Sequence, residues 1–329
     1  MNYYIITYGC QMNESDSEKI AELLQHQSHK PAKDENSANL IVVNACSVRQ
    51  TAMHRVYDKI NKYAGKKKII LAGCVLEKDK NALKGKVTEI WHPDKYFECV
   101  PAHQNKSTAY VPIMTGCDNF CSYCAVPFTR GREKSRLEKE IISEVKALIK
   151  KKQKNIMLLG QNVNSYRADK TDFPKLLKKI NDLPGNFQLS FMTSHPKDMS
   201  DELIKIMAKC EKLKREIHLP IQSGDNEILH KMNRRYTVTH YKNLIKKIRR
   251  AIPDVKITTD IIVGFPGETK KQFKNSVKLA KAIKFDGAFI AKYSPRPGTA
   301  ATKLKDDVPV EEKKRRWRIL DTLINKFEH

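Results

Sequence analysis

The chain has 329 residues, with 62 Lys and Arg against 37 Asp and Glu, for a formal net charge of +25. That length suits about two domains, and a 40% hydrophobic content supplies cores for them, while a positive surplus of this size points to a polyanionic partner rather than to any particular fold. No stretch approaches the roughly 20 consecutive apolar residues of a membrane span, and the opening MNYYIITYGC has neither a basic n-region nor a small-residue cleavage site.

Residues 1 to about 100 read as alternating strands and helices. NYYIITY, NLIVVNA and KKIILAG are short apolar runs rich in Ile and Val, each followed by a polar helical stretch. Ser15 and Glu18 form an S-x-x-E signal for the start of the first helix, which continues through Ile20 and Leu24. This alternation predicts a doubly wound parallel sheet. Cys10, Cys46 and Cys74 each follow a predicted strand. The loops beyond the carboxyl ends of parallel strands share one edge of the sheet, where ligands bind. The three thiols are therefore expected to meet as one three-thiolate site with one metal position left open.

The polar stretch PAHQNKSTAY is the expected linker, separating a domain of residues 1–103 from one of residues 111–329. Beyond it come six further predicted strands: VPIMTG, NIMLLG, QLSFMT, EIHLPI, KITTDIIVG and GAFIAKYS. Helices such as SRLEKEIISEVKALIKKK, DELIKIMAKC and TKKQFKNSVKLAKAIK lie between them. Six βα units predict an open (βα)6 barrel, whose chemistry gathers at the carboxyl ends of the strands. The last segment, VEEKKRRWRILDTLINKF, has the pattern of an amphipathic helix with a basic entry.

Eight cysteines in a chain of this size without a secretion signal point to metal binding before disulfides. Cys117, Cys121 and Cys124 lie in GCDNFCSYC, directly after the first barrel strand. Zinc usually takes four ligands in a closed tetrahedron, and an iron–sulfur cube normally takes four cysteines. Three in one loop leave a position open, which suits catalysis better than a structural staple. A non-catalytic, metal-stabilised nucleic-acid-binding module accounts equally for the charge, but not for incomplete ligand sets. His92, His195 and His218 read as structural hydrogen-bonders, and Cys99 and Cys210 stand outside both trios.

The C-x-x-x-C-x-aromatic-C pattern, with Tyr123 before Cys124, resembles the signature of radical S-adenosylmethionine enzymes. YGCQMNESDSE, NACSVRQTA and LAGCVLE resemble the amino-terminal domain of the methylthiotransferase branch of that family. LLGQNVNSY, TSHP, HLPIQSGDNEILHKMNRRYT, TTDIIVGFPGET and KYSPRPGTAA extend the resemblance through almost the whole chain. TRGREKSR and HKMNRRYT are most similar to the enzymes that methylthiolate isopentenylated adenosine beside the tRNA anticodon, while Ala125 and Phe128 depart from that subgroup's more usual Ile and Tyr. Related branches act on threonylcarbamoyl-adenosine in tRNA or on an aspartate of a ribosomal protein. Members usually carry a small carboxyl-terminal RNA-binding β-domain, whereas this sequence stops after NKFEH.

The resemblance implies two [4Fe-4S] clusters, one on Cys117, Cys121 and Cys124 and one on Cys10, Cys46 and Cys74. The first would bind S-adenosylmethionine and cleave it to a 5′-deoxyadenosyl radical, and the open iron of the second would carry the sulfur to be transferred. A second S-adenosylmethionine would supply the methyl group. Tyr123, Gly160, Gln222 and Ser223 are the implied cofactor contacts, with Gly264 and Glu268 in the fifth rim loop read as a turn. Arg130, Arg132, Arg136, Arg234, Arg235 and Arg296 are the implied contacts to RNA. The expected partners are tRNA, a low-potential electron donor and a sulfur supply system, for a monomeric cytoplasmic enzyme with no catalytic protein acid or base.

Overall fold

The structure, a computed structural model, describes residues 1–47, 50–101, 103 and 107–325. Val48 and Arg49 of the second cysteine motif, residues 102 and 104–106 of the expected linker, and residues 326–329 lie outside the described residues. The chain divides into two compact units, one of residues 1–118 and 125–160 and the other of 119–124 and 161–329. No helix among the described residues is long and apolar enough to cross a membrane.

The first unit begins β1 Asn2–Thr7, α1 Gln11–His26, β2 Lys30–Pro31, β3 Leu40–Cys46, α2 Gln50–Tyr63, β4 Lys68–Cys74, α3 Glu77–Leu83, β5 Glu89–Ile90 and α4 Asp94–Phe97. The five strands are parallel and lie in the order β2-β1-β3-β4-β5. The central strand β3, LIVVNAC, is buried throughout, as a strand covered on both faces must be. Its alternation sends Ile41 and Val43 to one face, against Met53, Val56 and Ile60 of α2. Leu40 and Val42 go to the other face, with Ile20 and Leu24 of α1 and with Trp91 and Tyr96. Each fully buried aliphatic side chain contributes about 1.5–3 kcal/mol. The two-residue edge strands β2 and β5 are exposed, and no alternation develops in so short a run.

The same unit continues with β6 Thr108–Pro112, β7 Met114–Thr115, α5 Val126–Thr129, β8 Lys134–Ser135, α6 Glu138–Lys150 and β9 Asn155–Leu159. VPIMTG is not one strand. β6 stops at Pro112, which has no N–H to extend a ladder, and β7 pairs antiparallel with β8. Thr108 to Tyr110, read from sequence as linker, belong to β6, because parallel pairing with Asn155 to Met157 of β9 satisfies their backbone.

The second unit contains β10 Arg167–Ala168, β11 Thr171–Asp172, α7 Phe173–Asn181, β12 Gln188–Met192, α8 Asp201–Lys209, β13 Glu216–His218, α9 Asn226–Lys231, α10 Val238–Ala251, β14 Lys256–Val263, α11 Lys270–Ile283, β15 Gly287–Lys292 and α12 Val310–Ile324. β13, β14 and β15 are parallel neighbours, and a parallel bridge joins Leu189 of β12 to Leu213 just before β13. Several of these helices start at side-chain caps: Asp172 accepts from Lys175 N–H, Ser200 from Leu203, and Thr237 from His240. Such caps are worth about 1 kcal/mol each. Counted along the chain, β6, β9, β12, β13, β14 and β15 are the six strands of the open (βα)6 barrel, and the fold is α/β with a doubly wound amino-terminal sheet before it.

Candidate metal centres

The order of the first sheet reverses between β1 and β3, and a crevice outside the carboxyl ends of the strands forms at such a reversal. The first three cysteines lie along that edge. Cys46 and Cys74 are the last residues of β3 and β4 and stand opposite each other in register. Cys10 caps α1. The expected start at Ser15 and Glu18 is thus corrected: both lie inside α1, and its first turn is closed by Asn13, whose Oδ1 accepts the Cys10 N–H at 3.4 Å. Asn13 in turn donates to Asn44 Oδ1 at 3.0 Å and to the Ala45 carbonyl at 3.1 Å. These two fully buried asparagines fix the Cys10 turn against the end of β3. Gly73, at φ +91, must be glycine, since a Cβ there would meet Asn44 Oδ1 at 2.3 Å and the Ala45 carbonyl at 2.4 Å.

The Cys46 sulfur hydrogen-bonds to Cys74, and with burial this holds the Cys74 thiol well above its ordinary range. Burial, and then the charge of Cys74, raise the Cys10 thiol as well, although Cys10 keeps an exposed face. Burial that keeps the Cys10 and Cys74 thiols from ionising is what a bound cation reverses, because coordination deprotonates a thiol outright. Arg130 Nε lies 2.9 Å from the Cys74 sulfur, and its guanidinium pairs with Asp16. Among the described residues no three His, Cys, Asp or Glu side chains converge on one shared ion.

The loop carrying Cys117, Cys121 and Cys124 leaves all three half-buried. Cys117 follows Gly116, at φ +76, where a Cβ would come within 2.0 Å of the Arg132 carbonyl. The Cys117 N–H donates to the Gly131 carbonyl at 3.3 Å. In the second unit, Ser122 N–H donates to the Met232 carbonyl at 3.0 Å, and Ser122 Oγ donates to the Lys231 carbonyl at 2.8 Å. Asn233 Nδ2 holds the Phe120 carbonyl at 2.9 Å. Arg234 Nη1 points at the Cys121 sulfur from 3.5 Å. Tyr123 packs on Ile228, Met232, Phe265, Tyr293 and Ala301, with Ile262 beside it.

Several unsatisfied polar atoms of the second unit lie on residues that follow β9, β12 and β13 in the chain. Gln161 Oε1, Asn162 Oδ1 and Asn164 Oδ1 follow β9, Ser194 Oγ and His195 Nε2 follow β12, and Gln222 Oε1 follows β13; all are buried without a partner. An unpaired buried polar group costs about 1–3 kcal/mol, so together they ask for a polar ligand. His195 Nδ1 accepts the Lys197 N–H at 3.1 Å. Burial first, then Arg234 and Lys197, hold its pKa down to about 2, so the ring is neutral and presents Nε2–H as a donor. Of the expected contacts, Gln222 therefore offers a free acceptor. Ser223 Oγ accepts the Asp225 N–H at 3.3 Å, and Gly160 is buried at the end of β9. Gln161, Asn162 and Ser194 carry no role in the sequence and His195 reads there only as a structural hydrogen-bonder; the signal for these four is a polar residue soon after a strand, in LLGQN and TSHP.

Four of the six arginines expected at RNA are inside the protein. Arg130, Arg136, Arg234 and Arg296 are each under 10% exposed. Arg136 pairs with Glu144 at 2.7 Å, and Arg234 Nη2 donates to the Pro220 carbonyl at 2.7 Å. The charges of Arg130, Arg136 and Arg234 meet internal acceptors, and the burial of all four corrects the expectation that they face phosphate. Arg132 and Arg235 are exposed, and Arg132 meets Asp118 at 2.7 Å. Glu268 is more than the turn residue expected: its Oε2 accepts the Gly264 N–H at 2.7 Å and pairs with Arg316 of α12 at 2.6 Å.

Residues 111–280 match the model of the Radical SAM superfamily, and residues 2–92 match that of the uncharacterized protein family UPF0004. A tRNA-2-methylthio-N(6)-dimethylallyladenosine synthase of Clostridium tetani is 41% identical, over 98% of this chain and 81% of that protein. The synthase of the same name from Endomicrobium trichonymphae is 41% identical over 99% of this chain and 84% of its own length. Among solved structures, the radical S-adenosylmethionine methyltransferase TsrM of Kitasatospora setae, with cobalamin and a [4Fe-4S] cluster bound, aligns at a TM-score of 0.60 and 13% identity, over 87% of this chain and 70% of that one. The cobalamin-dependent S-adenosylmethionine radical enzyme OxsB aligns at a TM-score of 0.61 and 9% identity, over 99% of this chain and 56% of that one, a likeness of fold alone. By its superfamily match and its relatives alike, the chain belongs to the radical SAM superfamily and, within it, to the family of tRNA-2-methylthio-N(6)-dimethylallyladenosine synthases.

Proposed function

We propose that this chain is a tRNA methylthiotransferase that adds a methylthio group to C2 of N6-isopentenyladenosine next to the anticodon, with S-adenosylmethionine as both radical source and methyl donor. The observation that carries the reading is the second three-thiol site, Cys10 with the register pair Cys46 and Cys74. A radical enzyme that only cleaved S-adenosylmethionine would need the Cys117, Cys121 and Cys124 loop alone. Two [4Fe-4S] clusters and S-adenosylmethionine supply the radical and sulfur chemistry when bound.

The protein's own contribution is binding, orientation and exclusion of water. Cys117, Cys121 and Cys124 would hold one cluster and Cys10, Cys46 and Cys74 the other. Gln161, Asn162, Ser194, Gln222 and the Nε2–H of His195 supply unpaired donors and acceptors, which suit the amino, carboxylate and ribose groups of S-adenosylmethionine. Tyr123, Gly160 and Ser223 are the other contacts assigned to that cofactor. Phosphate contacts fall to the exposed Arg132 and Arg235, within a chain whose +25 charge favours RNA. The reading takes residues 1–103 as the sulfur-carrying domain and 111–329 as the radical domain, in a monomeric cytoplasmic enzyme served by a low-potential electron donor and a sulfur supply system.

The test is anaerobic reconstitution with iron and sulfide, then incubation with S-adenosylmethionine, a strong reductant and isopentenylated tRNA. Mass spectrometry of the nucleosides should find one methylthio group gained on the modified adenosine. Gain of that group only on threonylcarbamoyl-adenosine, or on a ribosomal protein aspartate, would reassign the substrate. Formation of neither 5′-deoxyadenosine nor methylthiolated product at full iron loading would overturn the reading.

A further inference from the structure

Arg130 was expected to reach outward to phosphate, yet it is 3% exposed. It is held at the end of α5, where its N–H donates to the Val126 carbonyl at 2.8 Å. Its guanidinium has two partners: Nε donates to the Cys74 sulfur at 2.9 Å, and Nη2 donates to Asp16 Oδ2. Asp16 is itself 4% exposed and lies on α1 three residues beyond Asn13, on the helix face that carries the Cys10 turn. A buried cation directed at one thiol and neutralised by one carboxylate is costly to assemble, and α1 and α5 both contribute to it. The other trio has a counterpart, since Arg234, 7% exposed, directs Nη1 at the Cys121 sulfur from 3.5 Å.

We propose that Arg130 and Asp16 are positioning residues for the centre at Cys10, Cys46 and Cys74, and that together they set how readily it accepts an electron. The inference rests on the reading of those cysteines as cluster ligands. Hydrogen bonds to ligand sulfurs are among the determinants of cluster potential, and outer partners orient the ligands they touch. An N–H from a cation stabilises the more negative, reduced state and so raises the potential. Asp16 acts in the opposite sense by cancelling part of that positive charge. Neutralising either residue therefore moves the potential in opposite directions, which loss of packing alone would not do.

The experiment uses the full chain carrying Cys117→Ala, Cys121→Ala and Cys124→Ala, so that one cluster is read by itself. After anaerobic reconstitution, iron and sulfide are counted and the midpoint potential is measured by redox titration monitored by electron paramagnetic resonance. Arg130→Gln should shift the midpoint to more negative values, and the near-isosteric Asp16→Asn to more positive ones, both with unchanged iron. If Arg130→Gln fails to fold because Asp16 is left unpaired, the double variant Asp16→Asn/Arg130→Gln leaves neither charge alone, and its midpoint should lie below that of Asp16→Asn. Equal midpoints throughout, or shifts of the same sign in both single variants, overturn the proposal. No iron in the background chain with Arg130 intact refutes the cluster reading and the proposal with it, a result distinct from intact clusters of unaltered potential.

Discussion

Lys19 is fully buried on α1, with Nζ 2.5 Å from the Phe97 carbonyl and 4.9 Å from the Phe97 ring centroid. Burial, and then the charge of Arg136, bring its pKa from 10.5 to about 8. At 1.36 kcal/mol per unit, that shift corresponds to about 3 kcal/mol. Below about pH 8 both folded and unfolded chains hold the proton, and the folded state bears the whole penalty of a buried ammonium. Between about pH 8 and 10.5 the unfolded chain binds more protons than the folded one, so stability rises with pH. Lys19→Met keeps the length of the side chain and removes the titration. It also leaves the Phe97 carbonyl unpaired, at about 1–3 kcal/mol, but that cost is the same at every pH. The stability of the native chain relative to Lys19→Met should therefore climb by about 3 kcal/mol across that window. For a unit of this size, the two melting temperatures would converge or separate by roughly 6–12 °C. The assay is circular dichroism melting of both cluster-free proteins from neutral to alkaline pH. Other thiols and tyrosines titrate alike in the two chains and cancel in the difference. Parallel melting curves across the whole range would refute the reasoning.

Removing Cys74 or Cys117 as alanine should each lower the iron bound after reconstitution from about eight to about four atoms per chain, read by iron and sulfide analysis. Equal loss of both clusters from either change would contradict two separate sites. Arg132→Ala and Arg235→Ala should each weaken tRNA binding whatever the sequence and reduce the slope of log K against log salt by about 1. Binding titrations at several salt concentrations measure this. In the second unit, Glu268→Ala removes one of the two carboxylates paired with the buried Arg316, leaving Glu312, and takes the acceptor from Gly264 N–H; it should cost about 1–3 kcal/mol. Glu268→Gln should cost less, because burial already raises this carboxyl and the amide oxygen retains the Gly264 bond; denaturant titration of the cluster-free protein compares them.

Much of the chemistry was legible without coordinates. Cys117, Cys121 and Cys124 lie within eight residues of one loop, so their closeness along the chain is enough to bring the three thiols together. Strand and helix periods likewise marked β1, β3 and β4, because a strand buried on both faces must be continuously apolar, as LIVVNAC is. That Cys10, Cys46 and Cys74 share an edge followed from parallel topology, since every such strand ends on the same side.

What only tertiary structure decided was which charged and polar side chains turn inward. TRGREKSR reads as a solvated basic run, yet Arg130 and Arg136 are buried in it while Arg132 is not. The run itself does not distinguish them, because Asp16 comes from α1, far along the chain, and Glu144 from α6, the helix that follows the run. The start of α1 was misplaced for a related reason: the capping partner of Cys10 is Asn13, itself fixed by Asn44 on a neighbouring strand. Likewise, the unpaired atoms of Gln161, Ser194, His195 and Gln222 are recognisable only once burial removes their water. Local periodicity reports how a segment lies against a core, whereas the desolvation of a charge depends on every element packed around it, and that is settled by the fold.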